Sequence, residues 1–298
     1  MDIACIIVTY NRKNLLLNCL DAINSQTIKP RKIFVIDNAS SDGTDECIHK
    51  YESGIALDYI KLDKNIGGAG GFYTGIKTAF EDGRYNYYWV MDDDGQPDAK
   101  CLENLLKHSE YDFIAPLVLD IENRDNVAFP YLKEKTLSEI QNKYGKDGLI
   151  HNYANPFNGV LFSHRLVAKI GYPKKEMFIW GDEAEYQCRA TVNGFSPVTV
   201  IDAIHYHPLD RIKFEYDIFG RKTIIYVESK LRRYCKYRNS SFIASKYGGT
   251  LSKISFYMSY ITFFLFSRKA DISGLKFFLD AARDGRKGIF KNHNKYMN

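Results

Sequence analysis

The residues best suited to chemistry are three adjacent aspartates, Asp92, Asp93 and Asp94, which end an apolar run in the segment WVMDDDGQPD. Like charges side by side repel, and a fold tolerates them most readily when something positive sits among them. A hard divalent cation such as Mn²⁺ or Mg²⁺ takes carboxylate oxygens and bridges phosphates, so an acidic cluster at a ligand-binding edge points to a metal–diphosphate site. Strand alternation would turn Asp92 and Asp94 one way and Asp93 the other. The competing reading is a solvated turn with an Asp helix cap before Pro97, since Asp readily occupies turns and caps.

Three further segments carry polar residues of a ligand-binding type. The stretch NIGGAGGF, with Asn65, Gly67, Gly68, Gly70 and Gly71, opens a helical pattern. Glycines there allow backbone N–H groups to approach a phosphate, or simply allow close helix packing. Its spacing is not that of the dinucleotide fingerprint. The segment WGDEAEYQCR places Trp180 beside Asp182, Glu183 and Glu185. A carboxylate there would serve as a general base, or the acids would merely cap a helix start. In HYHP, His205 and His207 are ordinary strand-end residues or, for one of them, a metal ligand.

The elements that must position these residues alternate between strand and helix. Residues Ile3 to Thr9 form a β-branched apolar run, and Asn14 to Ile23 has helical spacing. Strands are then expected at Lys32–Asp37, Leu57–Leu62, Tyr85–Asp92 and Asp112–Leu119, with helices at Thr44–Tyr51, Phe72–Phe80 and Ala99–Leu106. Residues Asn123 to Gly148 read as an irregular insertion, the segment from Asn155 to Gly171 as strand then helix, and Pro197 to Pro208 as a late strand. The alternation predicts an α/β fold with a mostly parallel sheet covered on both faces. Ligand sites in such sheets lie at the carboxyl ends of the strands. TYNR, Asp37, the glycine stretch and Asp92–Asp94 occupy four successive ends.

Taken in this order, the motifs resemble the nucleotide-sugar-dependent glycosyltransferases of family 2, which have the GT-A fold, over roughly residues 2–210. IIVTYNR, with Thr9, Tyr10, Asn11 and Arg12, is similar to the nucleotide-binding opening of that family. VIDNASSDGT is similar to its second element, with Asp37 near the uracil base, and MDDDG to its DxD metal motif. Within the family the resemblance is to bacterial galactofuranosyltransferases and rhamnosyltransferases, whose glycine loop resembles NIGGAGGF and whose acidic segment resembles FIWGDEAEYQCR. Here Glu183 stands where that segment usually has a second aspartate, so the base is Glu183 or Asp182.

The resemblance implies an inverting transferase using UDP-galactofuranose or, next, dTDP-rhamnose, with Mn²⁺ or Mg²⁺ held by Asp92, Asp94 and His207 (preferred over His205). It places Asp93, Trp180 and Glu185 with the donor-binding residues. It implies a glycan acceptor on a lipid carrier. Four ligand-type motifs at successive strand ends outweigh the solvated-turn reading of the aspartates. A nucleotidyltransferase would also use aspartates and a metal, but TYNRKN lacks a basic glycine-rich triphosphate loop. A binding module with a vestigial site is the non-enzymatic rival.

Composition bounds these readings. The 298 residues are 45% hydrophobic and 26% charged, an ordinary globular balance. A net charge of +5 is too slight to argue for a nucleic-acid partner. The six cysteines are scattered without metal-type spacing, which suits a reduced cytosolic protein, and the N-terminus lacks a signal-peptide pattern. The expected division is a GT-A domain over 1–213 and a basic, aromatic helical region over 214–298. Within the latter, the apolar stretch Ile254–Phe266 is shorter than the roughly 20 residues that span a bilayer. It either packs against the catalytic domain or lies at a membrane interface, with Lys253, Arg268 and Lys269 toward head groups. YCKYRN and FFLDAARDGRKG resemble the tail of the same subgroup.

Overall fold

The computed structural model describes residues 1–129, 132–155, 157–209, 214–216, 222–225 and 229–297. The chain divides into two compact units, one of Met1–Pro173 with Arg189–Asp210 and one of Lys174–Cys188 with Arg211–Asn298. The expected boundary at residue 213 lies outside the described residues, and a single cut does not capture the excursion of 174–188 into the second unit.

The first unit begins as β1 (Ile3–Thr9), α1 (Lys13–Asn24), β2 (Lys32–Asp37), α2 (Thr44–His49), β3 (Ala56–Lys61), α3 (Gly67–Asp82) and β4 (Tyr87–Asp92). It continues with β5 (Gln96–Pro97), α4 (Cys101–Leu106), β6 (Phe113–Asp120), α5 (Leu137–Tyr144), β7 (Leu149–His151), β8 (Asn158–Ser163) and α6 (His164–Ile170). After α7 (Asp182–Val192), which begins in the second unit, comes β9 (Val198–His207). The sheet order is β3-β2-β1-β4-β8-β6-β9-β5, with β7 paired to β9. Strands β1 to β4 are mutually parallel, whereas β8 runs antiparallel to both β4 and β6. The parallel half was legible because β1, β2 and β4 are apolar almost throughout, as strands covered on both faces must be. Burial of each Ile or Val of β1 contributes about 1.5–3 kcal/mol.

Within the first unit, two expectations about local structure differ from what is observed. The insertion at 123–148 contains the helix α5, started by a cap close to a capping box: the Thr136 hydroxyl accepts from Glu139 N, and Glu139 Oε2 accepts from the preceding Lys135 N. The T-x-x-E spacing announces that cap. The glycine stretch is also no loop, because α3 starts at Gly67. A Cβ on Gly71 would lie 2.4 Å from Val8 Cγ1, so glycine there lets α3 approach β1.

The second unit contains the hairpin β10 (Phe214–Tyr216) and β11 (Lys222–Ile225), then α8 (Lys230–Tyr247), α9 (Thr250–Thr262) and α10 (Ile272–Arg286). The hairpin was not expected in a region read as helical. Tyr234, Tyr237, Tyr260, Phe263, Phe264 and Phe278 form the aromatic core of the second unit's helices. The apolar stretch Ile254–Phe266 is therefore split by face. Tyr260, Phe263 and Phe264 are buried, while Ile254, Met258 and Phe266 are 55%, 50% and 60% exposed. Among the described residues no helix is long and apolar enough to cross a membrane.

Candidate active site

Because β1 lies between β2 and β4 in parallel register, Thr9 pairs with Asp37, and Val8 with Asp92. The carboxyl ends of three strands therefore deliver their polar residues to one edge. Asp93 is buried. Its Oδ2 accepts the Thr9 hydroxyl at 2.7 Å and its Oδ1 accepts Arg12 Nη1 at 3.2 Å. The same Arg12 Nη1 donates to Asp94 Oδ2 at 2.7 Å. Asp93 and Asp94 thus converge on one guanidinium, which corrects the expectation that they face opposite ways. Alternation stops at Asp92, where β4 ends and the backbone enters a turn.

Asp94 Oδ1 is buried without an aligned hydrogen bond, although His207 Nε2 lies 3.1 Å away. His207 Nδ1 lies 2.6 Å from the Pro208 carbonyl, to which it donates, leaving Nε2 as the nitrogen turned to Asp94. Burial opposes charge throughout this cluster. It holds Asp92 well above the usual carboxylate range, with Asp94 and Asp93 adding to the effect. Asp93 is pushed up to about 6 by burial despite Thr9 and Arg12. Asp94 goes the other way, since His207 and Arg12 together outweigh burial and hold it low. The His207 pKa is correspondingly raised, because Asp94 outweighs the burial that would lower it.

His205 is fully buried, and neither ring nitrogen has a hydrogen-bond partner among the described residues. A Cβ on Gly95 would fall 2.1 Å from its Nε2. The ring is packed beneath the aspartate turn, and burial pulls its pKa down to about 3. Of the two histidines, His207 is the one beside Asp94.

Among the described residues, no three His, Cys, Asp or Glu side chains are gathered as a complete metal cage. The donor set nevertheless fits Mn²⁺ or Mg²⁺. It has a buried carboxylate oxygen lacking a hydrogen bond and an imidazole nitrogen 3.1 Å from it. Ions of this kind complete their shell with phosphate oxygens and water.

The neighbouring strand end is built from Asp37, which is fully buried. Its Oδ1 accepts Ser40 N at 2.8 Å, and its Oδ2 accepts the Tyr59 hydroxyl. Asn11, in the left-handed region at φ 53°, donates its N–H to Ser40 Oγ and accepts Ser41 N through Oδ1. Tyr10 is 45% exposed. Asn38 joins Asp37 to the start of α3, donating to Gly67 O at 3.3 Å, while Asn65 Oδ1 accepts Gly67 N at 2.8 Å. Within the glycine stretch, a Cβ on Gly70 would meet Ile66, whereas one on Gly68 would meet open space. Tyr59 and Asn38 escaped sequence reasoning. Asn38 lies next to Asp37 in a turn-rich segment and could have been found, but only the β2–β3 pairing brings Tyr59 to Asp37.

The acidic segment belongs to the second unit. Glu183 is partly exposed, and its Oε2 accepts Gly181 N at 2.8 Å. Its Oε1 has no protein partner among the described residues. Asp182 is buried at 4% exposure, as is Glu185 at 1%. Glu185 accepts the Tyr247 hydroxyl at 2.5 Å and lies 3.9 Å from Lys246 Nζ, so it ties α7 to α8 inside the unit. The Trp180 ring lies under the Arg232 guanidinium. The backbone before α7 is strained: Phe178 and Trp180 have φ of 65° and 59°. Such conformations cost about 1–3 kcal/mol each in a non-glycine residue.

Residues 4–164 match the profile of glycosyl transferase family 2. The chain belongs to that family, and its mixed, mostly parallel sheet flanked by helices is the GT-A fold. It is 32% identical over 300 residues to galactofuranosyltransferase GlfT1 of Mycobacterium tuberculosis H37Rv, covering 97% of each chain. The Mycolicibacterium smegmatis GlfT1 is 30% identical over 302 residues, covering 97% of this chain and 98% of its own. Among solved structures, Staphylococcus aureus TarS 1-349 in complex with UDP-GlcNAc matches with TM-score 0.61 at 18% identity, over 99% of this chain and 84% of that one. A Pyrobaculum calidifontis mannosyltransferase, in complex with GDP-Man and Mn²⁺, matches with TM-score 0.55 at 14% identity, over 95% and 86%. At those identities the structural matches speak for the fold alone.

Proposed function

We propose that this glycosyltransferase transfers galactofuranose, with inversion, from UDP-galactofuranose to a glycan acceptor on a lipid carrier. The observation that carries this reading is the identity of 32% to a galactofuranosyltransferase over 97% of both chains. Asp94 and His207, with Asp92, would hold Mn²⁺ or Mg²⁺, which offsets the charge that develops on the departing diphosphate. Asp37, buried behind Ser40 and Tyr59, would shape from within the wall that meets the nucleoside base. Arg12 keeps Asp93 and Asp94 in place and tempers their mutual repulsion. Glu183 takes the proton of the acceptor hydroxyl as that hydroxyl attacks the anomeric carbon from the face opposite UDP. The Gly181 N–H holds one Glu183 oxygen and leaves the other for the proton, and the burial of Asp182 favours Glu183 over it for that role.

A donor screen tests the assignment. With Mn²⁺ and a lipid-linked acceptor, UDP release is expected from UDP-galactofuranose and not from UDP-galactopyranose or UDP-GlcNAc. Turnover of dTDP-rhamnose alone would show a rhamnosyltransferase instead.

The second unit also carries features suited to peripheral contact with the inner leaflet. Leu251, Ile254 and Met258 are 83%, 55% and 50% exposed at helical spacing on α9, near Lys253. An apolar stripe flanked by basic residues suits an anionic lipid surface. Replacing all three by Glu is expected to reduce cosedimentation with phosphatidylglycerol vesicles by about tenfold or more. Unchanged cosedimentation would remove this role from α9.

A further inference from the structure

The tail motifs YCKYRN and FFLDAARDGRKG meet in the fold. A Cβ on Gly285 would lie 2.0 Å from the Arg238 carbonyl, so glycine lets α10 press against α8 at that point. Asp284 accepts the Tyr234 hydroxyl at 2.7 Å in the same contact.

At this crossing Arg238 and Asn239 are both completely buried and both turned toward the segment ahead of α7. Arg238 Nη2 donates to Met177 O at 2.7 Å, and its Nη1 donates to Phe290 O at 2.7 Å. Its Nε donates to Asn239 Oδ1 at 2.9 Å, which fixes the amide with its NH₂ toward the segment. That NH₂ faces three carbonyls, Met177 O at 3.0 Å, Ile179 O at 3.1 Å and Trp180 O at 2.5 Å.

These carbonyls bracket the strained backbone. Phe178, at φ 65° and ψ −66°, forms a γ-turn closed by Ile179 N to Met177 O at 2.8 Å. Trp180 and Gly181 follow with φ of 59° and 97°. Strain of this kind persists only where surrounding groups over-determine it. The Arg238–Asn239 pair supplies such groups, and the Gly181 N–H at the end of the bend holds Glu183 Oε2.

We propose that Arg238 and Asn239 are positioning residues that hold the 177–181 bend, and through it the Glu183 carboxylate, from the C-terminal helices. The catalytic part of this inference rests on Glu183 being the base. A displacement near 1 Å at a reacting group costs about 10²-fold in rate. Asn239→Ala should therefore lower kcat with UDP-galactofuranose by about 100-fold, a loss larger than any weakening of the Kd for UDP.

A second readout follows the bend itself. The chain has two tryptophans, Trp89 and Trp180, and Trp89 is fully buried. Acrylamide quenching thus reports mainly on Trp180, and it should increase in Asn239→Ala. Phe278→Leu, in the aromatic core of the same unit, controls for general destabilisation and should keep kcat within threefold at temperatures where both variants are folded. If Asn239→Ala does not fold, Asn239→Ser, which keeps one donor, takes its place with the same expected direction. Unchanged quenching in a folded variant, or an equal loss of kcat in Phe278→Leu, overturns the proposal. If Glu183→Gln retains transfer while quenching rises in Asn239→Ala, the base assignment fails and the clamp alone stands.

Discussion

Glu183→Gln should lower the rate of sugar transfer by about 10³-fold, within the range that a positioned general base contributes. Gln is nearly isosteric and its side-chain oxygen can still accept the Gly181 N–H, so the start of α7 should keep its geometry. What disappears is the oxygen able to take a proton. The Kd for UDP in the presence of Mn²⁺ should stay within about twofold, because the role proposed for Glu183 is proton transfer from the acceptor. Stopped assays of UDP release combined with calorimetric UDP titration separate the two quantities. Asp182→Asn provides the contrast. Asp182 is buried, so its replacement should appear first as lost stability. A Glu183→Gln enzyme retaining more than about a tenth of the wild-type rate would return the base role to Asp182 or to another group.

Asp94→Asn should abolish most of the dependence of UDP binding on Mn²⁺, weakening affinity by about 100-fold or more, since even outer groups of a metal site contribute 10–100-fold. Asp94 is held between Arg12 Nη1 at 2.7 Å and His207 Nε2 at 3.1 Å. Asparagine preserves the volume while removing the charge that an ion requires. Asp93→Asn should behave differently, because Asp93 is bound by Thr9 and Arg12 within the fold. It should change melting temperature more than Mn²⁺ dependence. Equal stimulation of UDP binding by Mn²⁺ in wild type and Asp94→Asn would rule out Asp94 as a ligand. Because the Glu183 variant is read by rate and the Asp94 variant by metal-dependent affinity, either assignment can fail without the other.

The amino-acid sequence by itself determined the α/β alternation, the edge at which β1, β2 and β4 end, and the family. These follow from local patterns: runs of buried β-branched residues, helical spacing of Leu and Ile, and polar residues where each run stops. Glu183, Asp94 and His207 were legible as candidates for the same reason. Tertiary structure decided how the candidates differ. Asp93 and Asp94 share Arg12 because the chain turns immediately after Asp92, and period-2 alternation carries no information about a turn. His205 and His207 are two residues apart, yet one is sealed under Gly95 and the other meets Asp94. Asp182 and Glu183 are adjacent, yet one is buried and the other partly exposed. Burial and partnership depend on what distant segments bring to a residue, as α8 brings Arg238 and Asn239 to carbonyls about sixty positions earlier. No local pattern records that approach, because the donors are side chains and the acceptors are backbone groups that every residue possesses.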